Sequence, residues 1–312
     1  IKAHVVRFNL GETGCIESLE LSNRETVEGD FFIDCSGQRG LLIHEALNSG
    51  FESWNRFLPC NRAVTVQTPN RGAPSLHTTM TARESGWTWQ VPLKNQTSSG
   101  YVFSSEHCSD RQAARLLLES VEGKPLQEPY FVPFRNGMRE QLWKKNCIAI
   151  GLAGGFLEPL ESTAIHLAIR GVESMLEMFP NLDEGDHEWP VLAHEYNRKM
   201  RLEFEEIRDF IILHYQAGNR TDTEFWRRCQ SLPIPEGLVS KVELFETRAQ
   251  LQVTEGSLFK KSSWQAVLTG MGIIPRAWHP FVDTVDFATI HQHMQAEKTL
   301  MKTAVQELPS YE

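Results

Sequence analysis

Cys147-Ile-Ala-Ile-Gly151-Leu-Ala-Gly-Gly155-Phe-Leu-Glu158-Pro-Leu-Glu161-Ser162-Thr163-Ala164-Ile165 decides how the rest of the 312-residue chain is read. Cys147 to Ile150 is unbroken by a polar residue, the texture of a strand buried on both faces. The small residues from Gly151 to Gly155 allow a backbone to approach a bulky ligand closely. A helix is predicted to start near Ser162 or Thr163, either of which can cap it. Ile165, Ile169, Val172, Leu176 and Phe179 then recur every three or four positions, as one helix face does. The first turn of such a helix offers free N–H groups and the positive end of a dipole, an anion site. The Glu161 carboxylate stands immediately before it. A Gly-rich turn and a capped helix, with Glu161 merely favouring the N-terminus, fits the same residues.

Outward from this stretch the chain changes texture in order. Residues 1 to 35 read as three strands: Val5 to Leu10, Cys15 to Leu21 in clean alternation, and Phe31 to Cys35, apolar on both faces like a buried parallel strand. Ser36 to Gly40 closes the third, and a short helix through Leu41, Leu42 and Ala46 follows. Asp34 and Gly37 there either touch a ligand or simply end the strand. From about 62 to 135 the chain is β-rich, with Tyr101 to Phe103 as hairpin partner of Gly86 to Leu93 and a helix over 110 to 122. Beyond 185 it is almost all helix, with apolar stripes at Trp189, Tyr196, Met200, Phe204, Ile207 and Ile211, then at Leu238, Val242 and Phe245. This order suits a mixed α/β (α+β) core over residues 1 to 180 and a mainly helical domain over 181 to 312.

Composition excludes several classes. The net charge of −9 with no long basic run argues against nucleic acid. No apolar stretch approaches the roughly 20 residues of a membrane span. Six cysteines without a C-x-x-C pair argue against zinc and a disulfide framework, and for reduced thiols in a cytoplasmic protein. His291 and His293 point apart on a helix, so no metal is expected. The chain opens at Ile1 directly into a strand-like run with no leader, which reads as a fragment of a longer protein.

Gly155-Phe-Leu-Glu-Pro-Leu-Glu-Ser-Thr163 resembles the signature of flavin-dependent tryptophan halogenases. Gly86-Trp87-Thr-Trp89-Gln-Val-Pro92 is similar to that family's Trp-x-Trp-x-Ile-Pro element, with one conservative change. Gly29 to Gly37, Asn146 to Gly151 and Arg208-Asp-Phe-Ile-Ile-Leu-His-Tyr215 match further segments in family order. The resemblance implies a FAD-dependent monooxygenase-like fold, present in part. It implies that reduced FAD, oxygen and chloride or bromide generate a hypohalous acid, which reaches a Lys and a Glu beside an electron-rich aromatic. On this resemblance Glu161 is the catalytic Glu and the amides of Thr163 and Ala164 bind halide. Leu152 and Ile165 line the flavin, with Gly37 and Gly151 close to it. Trp87, Trp89 and Ser162 complete the motifs; the two Trp also fit stacked core aromatics.

Partners implied are a small aromatic substrate and a separate flavin reductase, and a homodimer is compatible. The family has Gly where Ala164 stands, so a left-handed backbone there would strain the halide site. The Gly-rich dinucleotide loop and catalytic Lys lie upstream of residue 1, and Lys2, Lys94 and Lys124 read as solvated. Glu158 is expected in a structural ion pair. Arg198 to Glu206 reads as a salt-bridged helix face, and Leu258 to Pro275 either lines the substrate pocket or packs the helical domain. No adjacent Tyr-Tyr pair is present, which favours an indole, a peptide or another electron-rich aromatic over free tryptophan. Alternatives are a halide-independent flavin monooxygenase (a hydroxylase or epoxidase) and a non-catalytic fragment or binding module.

Overall fold

The alternating residues at the start of the chain fold into an antiparallel sheet, β1 (Val5–Leu10), β2 (Ile16–Leu21) and β3 (Thr26–Glu28), in the computed structural model, which describes residues 1–182 and 188–309. β3 adds to the sequence reading, which has no strand between Leu21 and Phe31: Ser18, Leu19 and Glu20 pair with Glu28, Val27 and Thr26. The first 35 residues therefore hold four strands, the fourth being β4 (Phe32–Asp34). After β5 (Phe51–Ser53) come β6 (Arg62–Pro69), β7 (Thr79–Arg83), β8 (Gly86–Pro92) and β9 (Gln96–Phe103). α1 (Asp110–Ser120) precedes β10 (Tyr130–Pro133), and the five-stranded sheet runs β10-β6-β9-β8-β7. The expected hairpin is present, Trp87 facing Val102 and Thr88 facing Tyr101.

β11 (Gly137–Arg139), β12 (Trp143–Lys144), β13 (Cys147–Ala149) and β14 (Gly155–Phe156) are short and carry the site. β13 pairs with β4 in parallel, as the two apolar runs suggested, with Cys147 beside Phe32 and Ala149 beside Asp34. Ile33 is nonetheless 45% exposed, so β4 is covered on one face. Both strands end in glycine turns, at Gly37 (φ +77) and Gly151 (φ +65), which therefore lie side by side. The buried Arg139 guanidinium joins them, donating to the carbonyls of Gln38, Arg39 and Ala153 at 3.2 Å each. A Cβ at Gly40 (φ +60) would come within 2.7 Å of that guanidinium.

The helices are α2 (Ala164–Glu177), α3 (Trp189–Gln216), α4 (Glu224–Ser231), α5 (Glu236–Arg248), α6 (Lys261–Gly270) and α7 (Phe287–Glu307). The α3 stripe is buried at Tyr196, Met200, Phe204, Ile207 and Ile211, and Leu238 and Phe245 of α5 join the same core. That core draws on residues from Trp54 to Leu268, on both sides of residue 180. Phe259 stacks on Phe210 at 3.8 Å while Trp264 and Leu268 are buried, so this part of the tail packs the helices.

α2 departs from its pattern. Ile165, Ile169, Val172, Leu176 and Phe179 are all exposed, and the buried face is Leu167, Gly171, Ser174 and Met175. The small Gly171 and Ser174 let α2 lie close on α3, where the Tyr196 hydroxyl reaches the Gly171 carbonyl at 3.4 Å.

Asp34 connects β4 to the π-helical turn Leu41–Ala46. It is 1% exposed; Oδ1 accepts from Ser36 N at 2.9 Å, and Oδ2 from Leu42 N and Ile43 N at 2.8 Å each. Strand termination accounts for all these bonds. Asp34→Asn places an amide donor against backbone donors, and we expect a loss of about 2 kcal/mol in chemical denaturation with an unchanged far-ultraviolet spectrum.

Candidate active site

The site is a loop threaded between the five-stranded sheet and α3. β14 pairs with β11, and a Cβ at Gly155 would meet Gly137 O at 2.6 Å and Met138 Cα at 2.8 Å, so only glycine permits this approach. The chain then enters the core at Glu158, turns through a 3-10 helix (Pro159–Glu161) and starts α2 at Ala164.

Glu158 is fully buried and, contrary to the sequence expectation, forms no ion pair among the described residues. Its Oε1 accepts from the Tyr215 hydroxyl at 2.5 Å and from Trp87 Nε1 at 3.2 Å. Its backbone N–H donates to Asn136 Oδ1 at 2.8 Å. Oε2 is buried without a hydrogen-bond partner among the described residues. Desolvation pushes this carboxyl up to about 7, against the opposing pull of the Tyr215 and Trp87 hydrogen bonds and the nearby His214. Burial also raises Tyr215 well above its ordinary value, so the phenol stays a donor.

Trp87 is thus buried and tied to Glu158, with Trp89 tilted against it at 5.9 Å between ring centroids. The core-aromatic reading of the pair is met.

Glu161, three residues on, is partly accessible at 30% side-chain exposure and lies 3.0 Å from His214 Nε2. Ser162 takes the left-handed backbone (φ 54, ψ 35), and its N–H donates to Pro159 O at 3.0 Å. The strain of the turn therefore falls on Ser162, and Ala164 sits in ordinary helical geometry as the first residue of α2. Thr163 occupies the N-cap position but makes no side-chain cap; its buried Oγ1 has no hydrogen-bond partner among the described residues. The expected capping bond is absent because Thr163 has helical backbone angles (φ −83, ψ −6), not the extended ones of a capping residue.

Gly151 and Leu152 lie in the turn after β13, and a Cβ on Gly151 would be 3.8 Å from Ala168 of α2, so turn and helix are neighbours. A Cβ on Gly37 would meet nothing within 4 Å. Leu152 is 43% and Ile165 75% exposed, on the outer side of these elements. Lys2, Lys94 and Lys124 are exposed, as read. His293 faces Glu297 at 3.7 Å and His291 lies over Phe287, both on the exposed α7.

Sequence reasoning quoted His214 and Tyr215 as part of a matching segment and gave them no role. They are consecutive near the end of α3, and each reaches one of the two carboxyls of the loop. The available signal was a polar aromatic pair directly after the apolar run Phe210 to Leu213.

Adjacent parallel strands ending in open glycine turns, beside an uncapped helix start with a carboxylate, occur here in the mixed α/β fold of flavin-dependent halogenases. The structure superposes on BrvH, a flavin-dependent halogenase from Brevundimonas sp. BAL3, with a TM-score of 0.92 at 43% identity, covering 99% of this chain and 63% of that one. Xcc4156, a flavin-dependent halogenase from Xanthomonas campestris, gives 0.93 at 38% identity over 99% of this chain and 62% of its own. The chain belongs to the tryptophan halogenase family, which it matches over residues 1–287. Tryptophan 6-halogenase SttH of Streptomyces toxytricini is 33% identical over 317 residues, covering 98% of this chain and 59% of that protein. The chain thus spans about three fifths of the length of such relatives. Among the described residues, no helix is long and apolar enough to cross a membrane.

The raised Glu158 carboxyl makes stability depend on pH in a defined direction. Folded Glu158 holds its proton up to about 7, whereas the unfolded chain releases it near 4.5. Between these values the native state binds more protons, so its contribution is fully present below about pH 4.5 and is lost as pH rises through about 7. The loss is about 3 kcal/mol in total. Glu158→Gln removes this slope, so the variant gains on the parent protein between pH 5 and pH 8 in urea denaturation.

Proposed function

We propose that the protein carrying this chain halogenates an electron-rich aromatic compound, using reduced FAD, oxygen and chloride or bromide, with Glu161 at the reacting ring. The observation that carries this reading is the uncapped start of α2, with the orphaned Thr163 Oγ1 buried inside it and the accessible Glu161 beside it. Free first-turn amides and the helix dipole favour an anion there. Halide is held by the amides of Thr163 and Ala164, and the helical geometry of Ala164 removes the objection that a Cβ raises at this position.

The residues also fit a flavin. Gly37 and Gly151 end neighbouring parallel strands, the side of such a sheet where ligands sit, and Gly37 has open space where a side chain would stand. Leu152 and Ile165 present exposed apolar side chains from the adjacent turn and helix. When bound, reduced flavin supplies with oxygen the oxidising power that turns halide into an electrophilic halogen donor.

The chain's own part is orientation and proton transfer. As the carbon–halogen bond forms, positive charge develops on the ring, and the Glu161 carboxylate stabilises it. The ring C–H bond then breaks, its electron pair restores aromaticity, and the proton passes to a Glu161 oxygen. Trp87, anchored through Glu158, holds the Trp-x-Trp element rigid behind this loop. The absence of an adjacent Tyr-Tyr pair favours an indole, a peptide or another aromatic over free tryptophan, and a separate reductase supplies the reduced flavin.

The test is an assay of the complete protein with a flavin reductase, chloride or bromide and a panel of indoles, read by mass spectrometry. Haloarene formation is expected, and product that is indifferent to halide identifies a monooxygenase instead. Glu161→Gln is expected to lower halogenation by about 100-fold or more while flavin binding, followed by flavin fluorescence, stays intact. Loss of both together contradicts the role given to Glu161.

A further inference from the structure

Both ring nitrogens of His214 have a close oxygen neighbour. Nδ1 lies 2.8 Å from the Phe210 carbonyl, one turn back on α3. A carbonyl only accepts, so Nδ1 carries a proton. The ring edge also packs against Phe210 at 5.1 Å between centroids, and Phe210 is itself stacked on Phe259. With Nδ1 protonated, neutral imidazole would bring a bare Nε2 within 3.0 Å of Glu161 Oε1, an ion-pair distance without the alignment of a hydrogen bond. Two electronegative atoms that close repel, and a proton on Nε2 turns the contact into an attraction.

The surroundings of the ring are acidic. The groups facing the ring are Glu161 and Glu158 from the loop, and the neighbouring Tyr215 hydroxyl, which turns to Glu158 with the Cys60 thiol behind it at 3.4 Å. Among the described residues, no Lys or Arg forms an ion pair with either carboxyl, and His214 is the basic group in contact with Glu161. Its side chain is 17% exposed, enough to limit solvent screening without isolating the charge.

We propose that His214 is the positioning residue of Glu161: as an imidazolium anchored by the Phe210 carbonyl, it fixes the orientation of the carboxylate and keeps it ionised. This rests on Glu161 acting as the proton acceptor argued above. Oε1 faces Nε2, which leaves Oε2 for the substrate ring. After Oε2 takes the ring proton, the pair carries one net positive charge, and the neighbouring cation disfavours its retention. The proton then passes to solvent, returning the carboxylate and imidazolium for the next turnover. His214 neither touches the substrate nor transfers the ring proton itself.

The experiment uses the complete protein with labelled histidine and reads the ring nitrogens by NMR at pH 7.5, in the parent and in Glu161→Gln. Both nitrogens protonated in the parent, with Nε2 deprotonated in Glu161→Gln, is the expected result. An Nε2 that is unprotonated in the parent, or identical in both, overturns the proposal. In parallel, His214→Gln keeps a donor near Glu161 but removes the charge. It is expected to lower kcat by about tenfold or more with KM for the aromatic little changed, and to move the acidic limb of the pH–rate profile to higher pH, because a carboxylate without its cation is protonated more readily. An unmoved pH profile in a folded, flavin-binding His214→Gln overturns the proposal while leaving halogenation standing. A parent protein that makes no haloarene, yet shows the coupled nitrogen signals, overturns the halogenase reading and supports the ion pair.

Discussion

A carboxylic acid in an apolar core is the constraint around which this molecule is arranged. Glu158 has no solvent exposure and, among the described residues, no ion pair, so its hydrogen bonds come from elsewhere in the chain. They come from three distant segments: Trp87 of β8, Tyr215 of α3 and the Asn136 side chain just before β11. Asn136 is itself fully buried, and its amide nitrogen donates to the carbonyls of Leu58 and Cys60. Moving any of these elements strands a polar group in the interior, which is costly. The loop between β14 and α2 is therefore held from three sides.

That hold is what makes Glu161 precise. Two residues separate it from Glu158, one of them a proline with a fixed backbone angle, and Ser162 absorbs the strain of the turn. α3 serves both carboxyls through adjacent residues: Tyr215 points into the core at Glu158, while His214 meets Glu161 nearer the surface. The same helix thus hydrogen-bonds one acid in the core and gives its neighbour a partner nearer the surface.

A second anchor lies at the carboxyl ends of the paired parallel strands. Arg139 binds the carbonyls of both glycine turns, and the Asp34 carboxylate collects three backbone amides on the strand beside it. Both charges are turned inward to backbone groups, leaving Gly37 and Gly151 open on the outer side. The exposed apolar residues of α2 and the turn, Leu152, Ile165 and Ile169, flank that opening.

Local features of this architecture were legible in the residues themselves. The unbroken apolar runs at Phe31 to Cys35 and Cys147 to Ile150 announced parallel strands, the alternation after Gly86 announced a hairpin, and the α3 stripe announced a buried helix, because each depends on periodicity within one segment. The family resemblance, not periodicity, singled out Glu161. What sequence could not supply were choices made between segments. That α2 meets α3 at Gly171, under the Tyr196 hydroxyl, was one such choice. Whether Ala164 is strained was settled by Ser162 taking the left-handed angle. Whether Glu158 has an ionic partner, and that His214 is the partner of Glu161, depended on α3 crossing a loop more than fifty residues earlier in the chain. Periodicity is a property of one strand or helix; the charge state of a buried acid is a property of everything folded around it.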